Sequence, residues 1–204
     1  MSKFVSLKNQ EQILSRIKEL LKQKSFILLL GKSGSGKTLI LKQLCKEFKA
    51  LHQTQIFKNE KELQSFIEPI LQSEHKPAIL LDEVGMYDEK TLESVRIYSD
   101  DLSFILSSHK RLKIFKKEHF KSRINAEFEL KSLDYNELKT YIKAKHGLNF
   151  FQKELKLLYK IYQGNLRNID KTLGSFKELH AFYKGQKSVK YILNLSAFEN
   201  ALLR

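Results

Sequence analysis

A glycine-rich octet near the N-terminus is the part of this chain whose residue types and spacing most clearly predict chemistry. The pattern G-x-x-x-x-G-K-[ST] is met by Gly31, Lys32, Ser33, Gly34, Ser35, Gly36, Lys37 and Thr38. Glycines let such a loop, a P-loop, curl so that successive backbone N–H groups point at an anion beside a helix N-terminus. Lys37 would then reach the β and γ phosphates, and the Thr38 hydroxyl would ligate Mg²⁺. We therefore predict that residues 31–38 bind ATP with Mg²⁺.

Two acidic residues follow the second strongly apolar segment. Residues 78–81 read as a buried strand, and Asp82 and Glu83 come directly after it. A buried strand in this place would deliver Asp82, at its C-terminal end, beside the P-loop. Asp82 would hold Mg²⁺ through water, and Glu83 would polarise the attacking water. The adjacent glutamate favours a hydrolase over many nucleotide kinases.

A third apolar segment, residues 102–106, is followed by Ser107, Ser108 and His109. A polar group at the end of this strand would face the γ-phosphate. Ser108 or His109 could sense that phosphate or orient the water, and we count Ser108 among the candidate catalytic residues. The alternative is that Ser107 and Ser108 only cap the next helix.

Apolar periodicity predicts a change of architecture near Leu130. Strands and helices alternate before it, which predicts a parallel sheet with helices on both faces. Strands are predicted at 25–30, 53–57, 78–81, 102–106 and 126–130. Four helices are predicted after it, at 135–145, 151–162, 165–182 and 189–203. The predicted fold is a three-layer αβα nucleotide-binding domain over residues 1–130, followed by a small all-helical lid over 131–204.

Two arginines are notable in a chain whose positive charge is mostly lysine. Arg123 precedes the last predicted strand, and Arg167 lies at the start of a helix in the C-terminal part. A guanidinium can stabilise the charge that phosphoryl transfer spreads over the phosphate oxygens. The alternative for either residue is a surface ion pair.

The chain resembles the AAA+ ATPases, and within them most closely the ExeA-type secretion ATPases. The resemblance covers about residues 9–180 and rests on segments 31–38, 79–83, 89–96, 104–109, 122–124, 130–138 and 164–167. It implies that Arg123 is an arginine finger toward a neighbouring subunit of a homo-oligomer. It also implies that Arg167 is a sensor on the lid that contacts the nucleotide of its own subunit. The third-strand position departs from the Asn or Gln usual in the family.

Composition limits the possible partners and location. The net charge is +14, and residues 131–204 hold 14 basic and 6 acidic residues. A basic lid could attract DNA or anionic lipid, although the lysines are scattered along the chain. The single cysteine, Cys45, excludes a disulfide framework. The apolar run near the start is too short to cross a membrane, so we expect a cytoplasmic protein, either free or peripheral at the inner face of the membrane.

Several functions remain open at this level. The resemblance favours an ATPase that energises or regulates a membrane-associated secretion, pilus or DNA-uptake (transformation) machine. The alternatives are a DNA-associated initiator or loader, and a nucleotide-gated scaffold with slow turnover. A small-molecule kinase is disfavoured by the helical part and by the segment around Arg123. The chain lacks the guanine-reading motif of GTPases and the signature motif of ABC-type ATPases.

Overall fold

The computed structural model describes residues 5 and 7–203. Its sheet has five strands in the order β2-β3-β4-β1-β5, and every pairing is parallel. The strands are β1 Phe26–Gly31, β2 Leu51–Gln53, β3 Ile79–Leu81, β4 Phe104–Ser108 and β5 Ala126–Leu130. Five helices alternate with them: α1 Lys8–Leu20, α2 Lys37–Phe48, α3 Glu60–Gln72, α4 Glu89–Tyr98 and α5 Glu118–Lys121. The predicted parallel sheet with flanking helices is confirmed, and the terminal residues of the predicted domains (1–4, 6 and 204) lie outside the described residues.

Both faces of the sheet are covered, because side chains alternate along each strand. All of β1 is buried. Leu28 packs into a core shared with α3 and α4, whereas its neighbour Leu29 packs into a core shared with α1 and α2. We call the side that bears Leu29 the α2 face. In a parallel sheet, residues in register point to the same face, so the strand ends deliver polar groups to a predictable side.

Side-chain caps explain where several helices begin. The Asn59 side chain accepts a hydrogen bond from the Glu62 amide at the start of α3. Asp88 does the same for the Thr91 amide at the start of α4. These caps begin α3 and α4, the crossover helices that precede β3 and β4 and cover one face of the sheet.

The chain divides into two compact units. The α/β unit consists of residues 8–32 and 36–131. The helical unit contains residues 132–203, together with residues 33–35 and the described residues 5 and 7. Its helices are α6 Tyr135–His146, α7 Gln152–Tyr162, α8 Leu166–Tyr183 and α9 Val189–Glu199. They surround a core of their own.

The tip of the P-loop belongs to the helical unit by its contacts. The Leu166 amide, at the first residue of α8, donates to the Gly34 carbonyl at 3.1 Å. A Cβ on Gly34 would lie 1.7 Å from Asn165 Oδ1. Gly34 also has a φ of +74°, a left-handed value that favours glycine. Position 34 is therefore restricted to glycine both by its backbone and by this close approach.

Three elements differ from the sequence prediction by two residues or more. β4 runs from Phe104 to Ser108, two residues later than the predicted strand 102–106. β2 ends at Gln53, where the predicted strand 53–57 began. Ile56 is 39% exposed, whereas Phe57 lies in the loop after β2 and packs against Phe66 and Tyr87. The apolar residues that suggested a strand therefore lie in a loop, and one of them, Phe57, contributes to the core. α9 ends at Glu199, four residues before the predicted end.

Among residues 5 and 7–203, no helix is both long enough and apolar enough to cross a membrane.

Candidate functional site

The P-loop leads from the end of β1 into α2, as the motif predicted. Gly36 has a φ of +104°, a conformation that L side chains rarely adopt. Lys37 is only 6% exposed. Its Nζ donates to the carbonyls of Gly31 at 2.6 Å and Lys32 at 3.2 Å. The ammonium is therefore held within the loop, where it can serve a bound phosphate.

Asp82 follows β3 and faces the start of α2. Thr38 Oγ1 donates to Asp82 Oδ2 at 2.8 Å. On the other carboxylate oxygen, Oδ1 accepts from the Ser107 hydroxyl and from the Glu83 amide, the latter at 3.0 Å. Because hydroxyl and carboxylate oxygens are ligands that Mg²⁺ prefers, Thr38 and Asp82 fit a magnesium ion whose other ligands are water and phosphate.

The Asp82 carboxyl is held in its ionised form. Burial by itself would raise its pKa, but the approach of His52 and the hydrogen bonds from Ser107, Thr38 and the Glu83 amide together lower the pKa well below its usual value. Asp82 therefore carries a full negative charge at neutral pH, as a cation-binding residue requires.

Glu83 has an unusual backbone. Its φ is 53° and its ψ is 39°, a left-handed conformation that costs a non-glycine residue about 1 kcal/mol or more. Its side chain is exposed, in contrast to the buried Asp82 beside it. Strained backbone of this kind is concentrated at functional sites. The exposed carboxylate at this edge of the sheet is consistent with the predicted role of Glu83 in orienting water.

The third-strand serine that reaches the site is Ser107, whereas the sequence prediction named Ser108. Ser108 Oγ donates to the Lys110 carbonyl at 2.8 Å and so serves the local turn. The reason is the alternation of side chains along β4. Ser107 is in register with Leu29 and shares the α2 face with Asp82. Ser108 points to the opposite face, with Leu106.

His109 is the other residue that the sequence placed at the third-strand sensor. Its Nδ1 lies 3.3 Å from Lys37 Nζ. Since an ammonium has only donors, this contact is a hydrogen bond in the tautomer whose Nδ1 is unprotonated. Of the two alternatives left open by the sequence, His109 is the one that contacts the P-loop lysine.

Arg123 lies elsewhere in the α/β unit. It precedes β5, and its guanidinium pairs with Asp100 at 2.9 Å, with the two side chains 43% and 48% exposed. Asp100 in turn precedes β4. Both residues therefore lie at the N-terminal ends of parallel strands, whereas the P-loop and Asp82 lie at the C-terminal ends. The surface ion pair foreseen as an alternative is present.

Arg167 lies in the first turn of α8 in the helical unit. Its amide donates to the Asn165 side chain at 3.0 Å, which caps the helix. The Arg167 side chain is exposed. In the part of the chain that the structure describes, it forms no ion pair, so its guanidinium is available to an anion.

One site residue, His52 of β2, was missed by sequence reasoning. Its Nε2 lies 3.8 Å from Asp82 Oδ2. The register offered a signal, because His52 pairs with Leu80, which is on the α2 face two residues before Asp82. Within the described ranges, no group of three or more His, Cys, Asp or Glu side chains forms a metal site. A cation here would therefore depend on Thr38, Asp82 and a bound phosphate.

Comparison with solved structures shows the fold. One structure of RuvB from Thermotoga maritima, described as a Holliday junction branch migration motor, is 17% identical, with a TM-score of 0.71 over 95% of this chain and 69% of that chain. A single-substitution variant of the same protein is 16% identical, with a TM-score of 0.73 over 95% and 69%. Another such variant gives 16% and 0.72 over 95% and 70%. At this identity the likeness concerns the fold alone.

Sequence comparison identifies the family. No curated protein matches the chain in sequence. Residues 9–153 match the family model described as Novel STAND NTPase 3, and this range includes the P-loop, Asp82, Glu83 and Arg123. The chain therefore belongs to the novel STAND NTPase 3 family, with a P-loop NTPase fold like that of RuvB.

Proposed function

We propose that this chain binds ATP with Mg²⁺ and hydrolyses the nucleotide. The observation that carries the proposal is the convergence of Lys37, Thr38 and Asp82 at one edge of the sheet, linked by the 2.8 Å contact between Thr38 and Asp82. A lysine, a hydroxyl and an ionised carboxylate are the groups that bind a nucleoside triphosphate and its magnesium ion. The absence of a guanine-reading motif from the sequence favours ATP over GTP.

Each residue of the site has a proposed role in ATP binding or hydrolysis that follows from its chemistry. The loop N–H groups and Lys37 bind phosphate oxygens, and bound Mg²⁺ would neutralise charge on the phosphates. Thr38 and Asp82 would hold that ion. Glu83 orients the attacking water and accepts its proton. His109, 3.3 Å from Lys37, is placed to respond to the phosphate that this lysine binds.

Two substitutions test this assignment. Lys37→Ala should abolish ATP binding, measured by fluorescence titration. Glu83→Gln should bind ATP as tightly as the wild-type chain but hydrolyse it at least about 100-fold more slowly, because it lacks the base. Unchanged ATP affinity in Lys37→Ala would remove the site assignment. Equal, slow turnover in wild type and Glu83→Gln would support the nucleotide-gated scaffold instead.

A neighbouring subunit is proposed to complete the site. Strands rise about 3.3 Å per residue, so the five residues of β5 separate Arg123 from the P-loop edge by roughly 15 Å. Arg123 is thus poorly placed to serve the nucleotide of its own α/β unit. An exposed guanidinium at the far edge is well placed to serve the nucleotide of a second copy, and this supports a homo-oligomer that assembles on ATP. Arg167 is proposed to sense the nucleotide from the helical unit.

The process that hydrolysis drives is a separate proposal with two candidates. The sequence resemblance to ExeA-type ATPases favours a membrane-associated secretion, pilus or DNA-uptake machine, which the protein would join from the cytoplasmic side through a protein partner. A Glu83→Gln variant that retains ATP should then co-purify with a component of that machine. Capture only of nucleic acid would favour the second candidate.

The second candidate, a DNA-associated ATPase, is favoured by the exposed face of α7. Lys153, Lys156 and Lys160 are exposed at helical spacing, and Tyr159, 42% exposed, lies about one helical turn from Lys156. The Tyr159 ring is braced against Tyr135, with their centroids 5.8 Å apart. Lysines that pair with phosphates, beside a ring on which bases can stack, suit single-stranded nucleic acid.

A salt-dependent binding assay separates the candidates. If α7 binds DNA, single-stranded oligonucleotides should bind at low salt, and affinity should fall as salt rises. Lys156→Ala should weaken binding and reduce the salt slope, and Tyr159→Ala should weaken binding at all salt concentrations. Lys139→Ala, which removes an exposed lysine from α6, is the matched control. No binding at low salt would remove the DNA-associated candidate.

A further inference from the structure

His52 is a partly buried polar residue at the edge of the proposed magnesium site. It is the middle residue of β2, and it is in register with Leu80 of β3. This register places His52 on the α2 face, as it does Asp82. The His52 side chain is only 10% exposed. Its Nε2 is buried and, in the described part of the chain, has no hydrogen-bond partner.

An imidazole in this position is unfavourable for packing alone. A buried ring nitrogen without a partner loses its hydrogen bonds to water and gains none in return. A leucine would fill similar space beside Leu80 without that cost. The polar group therefore calls for a functional explanation, and the Asp82 carboxylate is a candidate acceptor 3.8 Å from Nε2.

The two oxygens of this carboxylate are held unequally. Oδ1 accepts two hydrogen bonds, from the Ser107 hydroxyl and the Glu83 amide. Oδ2 accepts one, from Thr38. His52 approaches Oδ2 at 3.8 Å, and a shift of roughly 0.6–0.9 Å would bring it to hydrogen-bond distance. His52 is thus placed to supply the fourth donor.

We propose that His52 is a positioning residue: it donates from Nε2 to Asp82 Oδ2 and fixes that oxygen for Mg²⁺. The inference rests on the proposed function, since it assigns Mg²⁺ to Thr38 and Asp82. With donors from α2, β2, β4 and the Glu83 amide, the carboxylate cannot rotate away from the ion. Residues that orient a metal-binding carboxylate in this way commonly change metal affinity by about 10- to 100-fold.

The test compares metal dependence with stability on the full chain in a Glu83→Gln background, where ATP is not consumed. His52→Leu removes the donor, and His52→Gln keeps one at similar reach. Leu51→Ala changes the preceding residue of β2, which is exposed, and is the matched control. For each variant we would measure the Mg²⁺ concentration that half-saturates Mg²⁺-dependent ATP binding, and the thermal midpoint without nucleotide or metal.

If His52 positions Asp82, the Mg²⁺ dependence should change while the thermal midpoint does not fall. His52→Leu should need about 10- to 100-fold more Mg²⁺, while its thermal midpoint stays equal or rises. His52→Gln should restore much of the Mg²⁺ dependence, and Leu51→Ala should leave it unchanged. Normal Mg²⁺ dependence in His52→Leu, or equal loss in both His52 variants with a lowered midpoint, would overturn the inference. Absence of Mg²⁺-dependent ATP binding before any change at position 52 would remove the proposed function itself.

Discussion

At the scale of single residues, Glu83 combines backbone strain with proposed chemistry. Its left-handed φ of 53° is imposed where the chain leaves β3 and turns into a short 3₁₀ segment, Val84–Met86. The same turn places the Glu83 amide on Asp82 Oδ1. The strained turn therefore both places the Glu83 amide against Asp82 and directs the Glu83 carboxylate outward.

This strain predicts a trade between stability and activity. Glu83→Gly should raise the free energy of unfolding by about 1 kcal/mol, because glycine adopts this conformation without a steric penalty. Glu83→Gln keeps the strain and should leave stability unchanged. Both variants should lose ATP hydrolysis. Chemical denaturation of the two variants checks this, and a Glu83→Gly chain no more stable than Glu83→Gln would contradict it.

At the scale of secondary-structure elements, an ionic network joins α6 to α8. The Asp170 carboxylate accepts hydrogen bonds from Tyr141 at 2.8 Å and Lys145 at 2.7 Å, and it contacts His146 Nε2 at 2.9 Å. Burial alone would raise the Asp170 pKa, but the contacts from His146, Lys145 and Tyr141 lower it below its usual value.

The lowered pKa predicts a pH-dependent contribution to stability. In the unfolded chain Asp170 should titrate near its ordinary value of about 3.9. The folded state holds the carboxylate ionised to lower pH, so the contribution is full above that value and is lost as pH falls through the folded pKa. Asp170→Asn should therefore destabilise the protein clearly at pH 6 and much less near pH 3. Denaturation at both pH values would measure this, and a pH-independent difference would contradict it.

Two glycines of the helical unit form a matched pair. In the part of the chain described, a Cβ on Gly174 or on Gly147 would meet no atom within 4 Å. Gly174 lies inside α8, whereas Gly147 ends α6 with a φ of +69°. Gly174→Ala should raise stability by about 0.5–1 kcal/mol through helix propensity. Gly147→Ala should lower it by about 1 kcal/mol, because alanine resists the left-handed conformation. Thermal unfolding checks both, and shifts of the same sign would contradict the explanation.

Predictability from the sequence differs among these elements for physical reasons. β1, β5 and the P-loop could be predicted because local patterns specify them. β2 was misplaced because the apolar pair Ile56–Phe57 has strand propensity but is used by a loop. The sequence alone could not distinguish Ser107 from Ser108, because strand register, a non-local property, decides which of the two serines faces Asp82. His52 was missed for the same reason, since only pairing with β3 brings it to Asp82.

At the scale of the whole molecule, the direction of the parallel strands separates the two functions that we propose for the α/β unit. The C-terminal edge of the sheet holds the P-loop, Asp82 and Ser107. The opposite edge presents Arg123, which is paired with Asp100 at the surface. Each copy would thus bind nucleotide at one edge and offer a guanidinium to a neighbour at the other. An exposed ion pair such as Arg123–Asp100 is worth only about 0–1 kcal/mol, so assembly can open it.

Mixing two inactive variants tests this account most directly. Arg123→Ala should bind ATP but not hydrolyse it, and Lys37→Ala should neither bind nor hydrolyse it. In a mixed assembly, Lys37→Ala subunits still supply Arg123 to the intact P-loops of Arg123→Ala subunits. The account predicts that each variant alone is inactive and that the mixture recovers part, but not all, of the wild-type ATPase rate. A mixture as inactive as its two components, or full activity of Arg123→Ala alone, would contradict it.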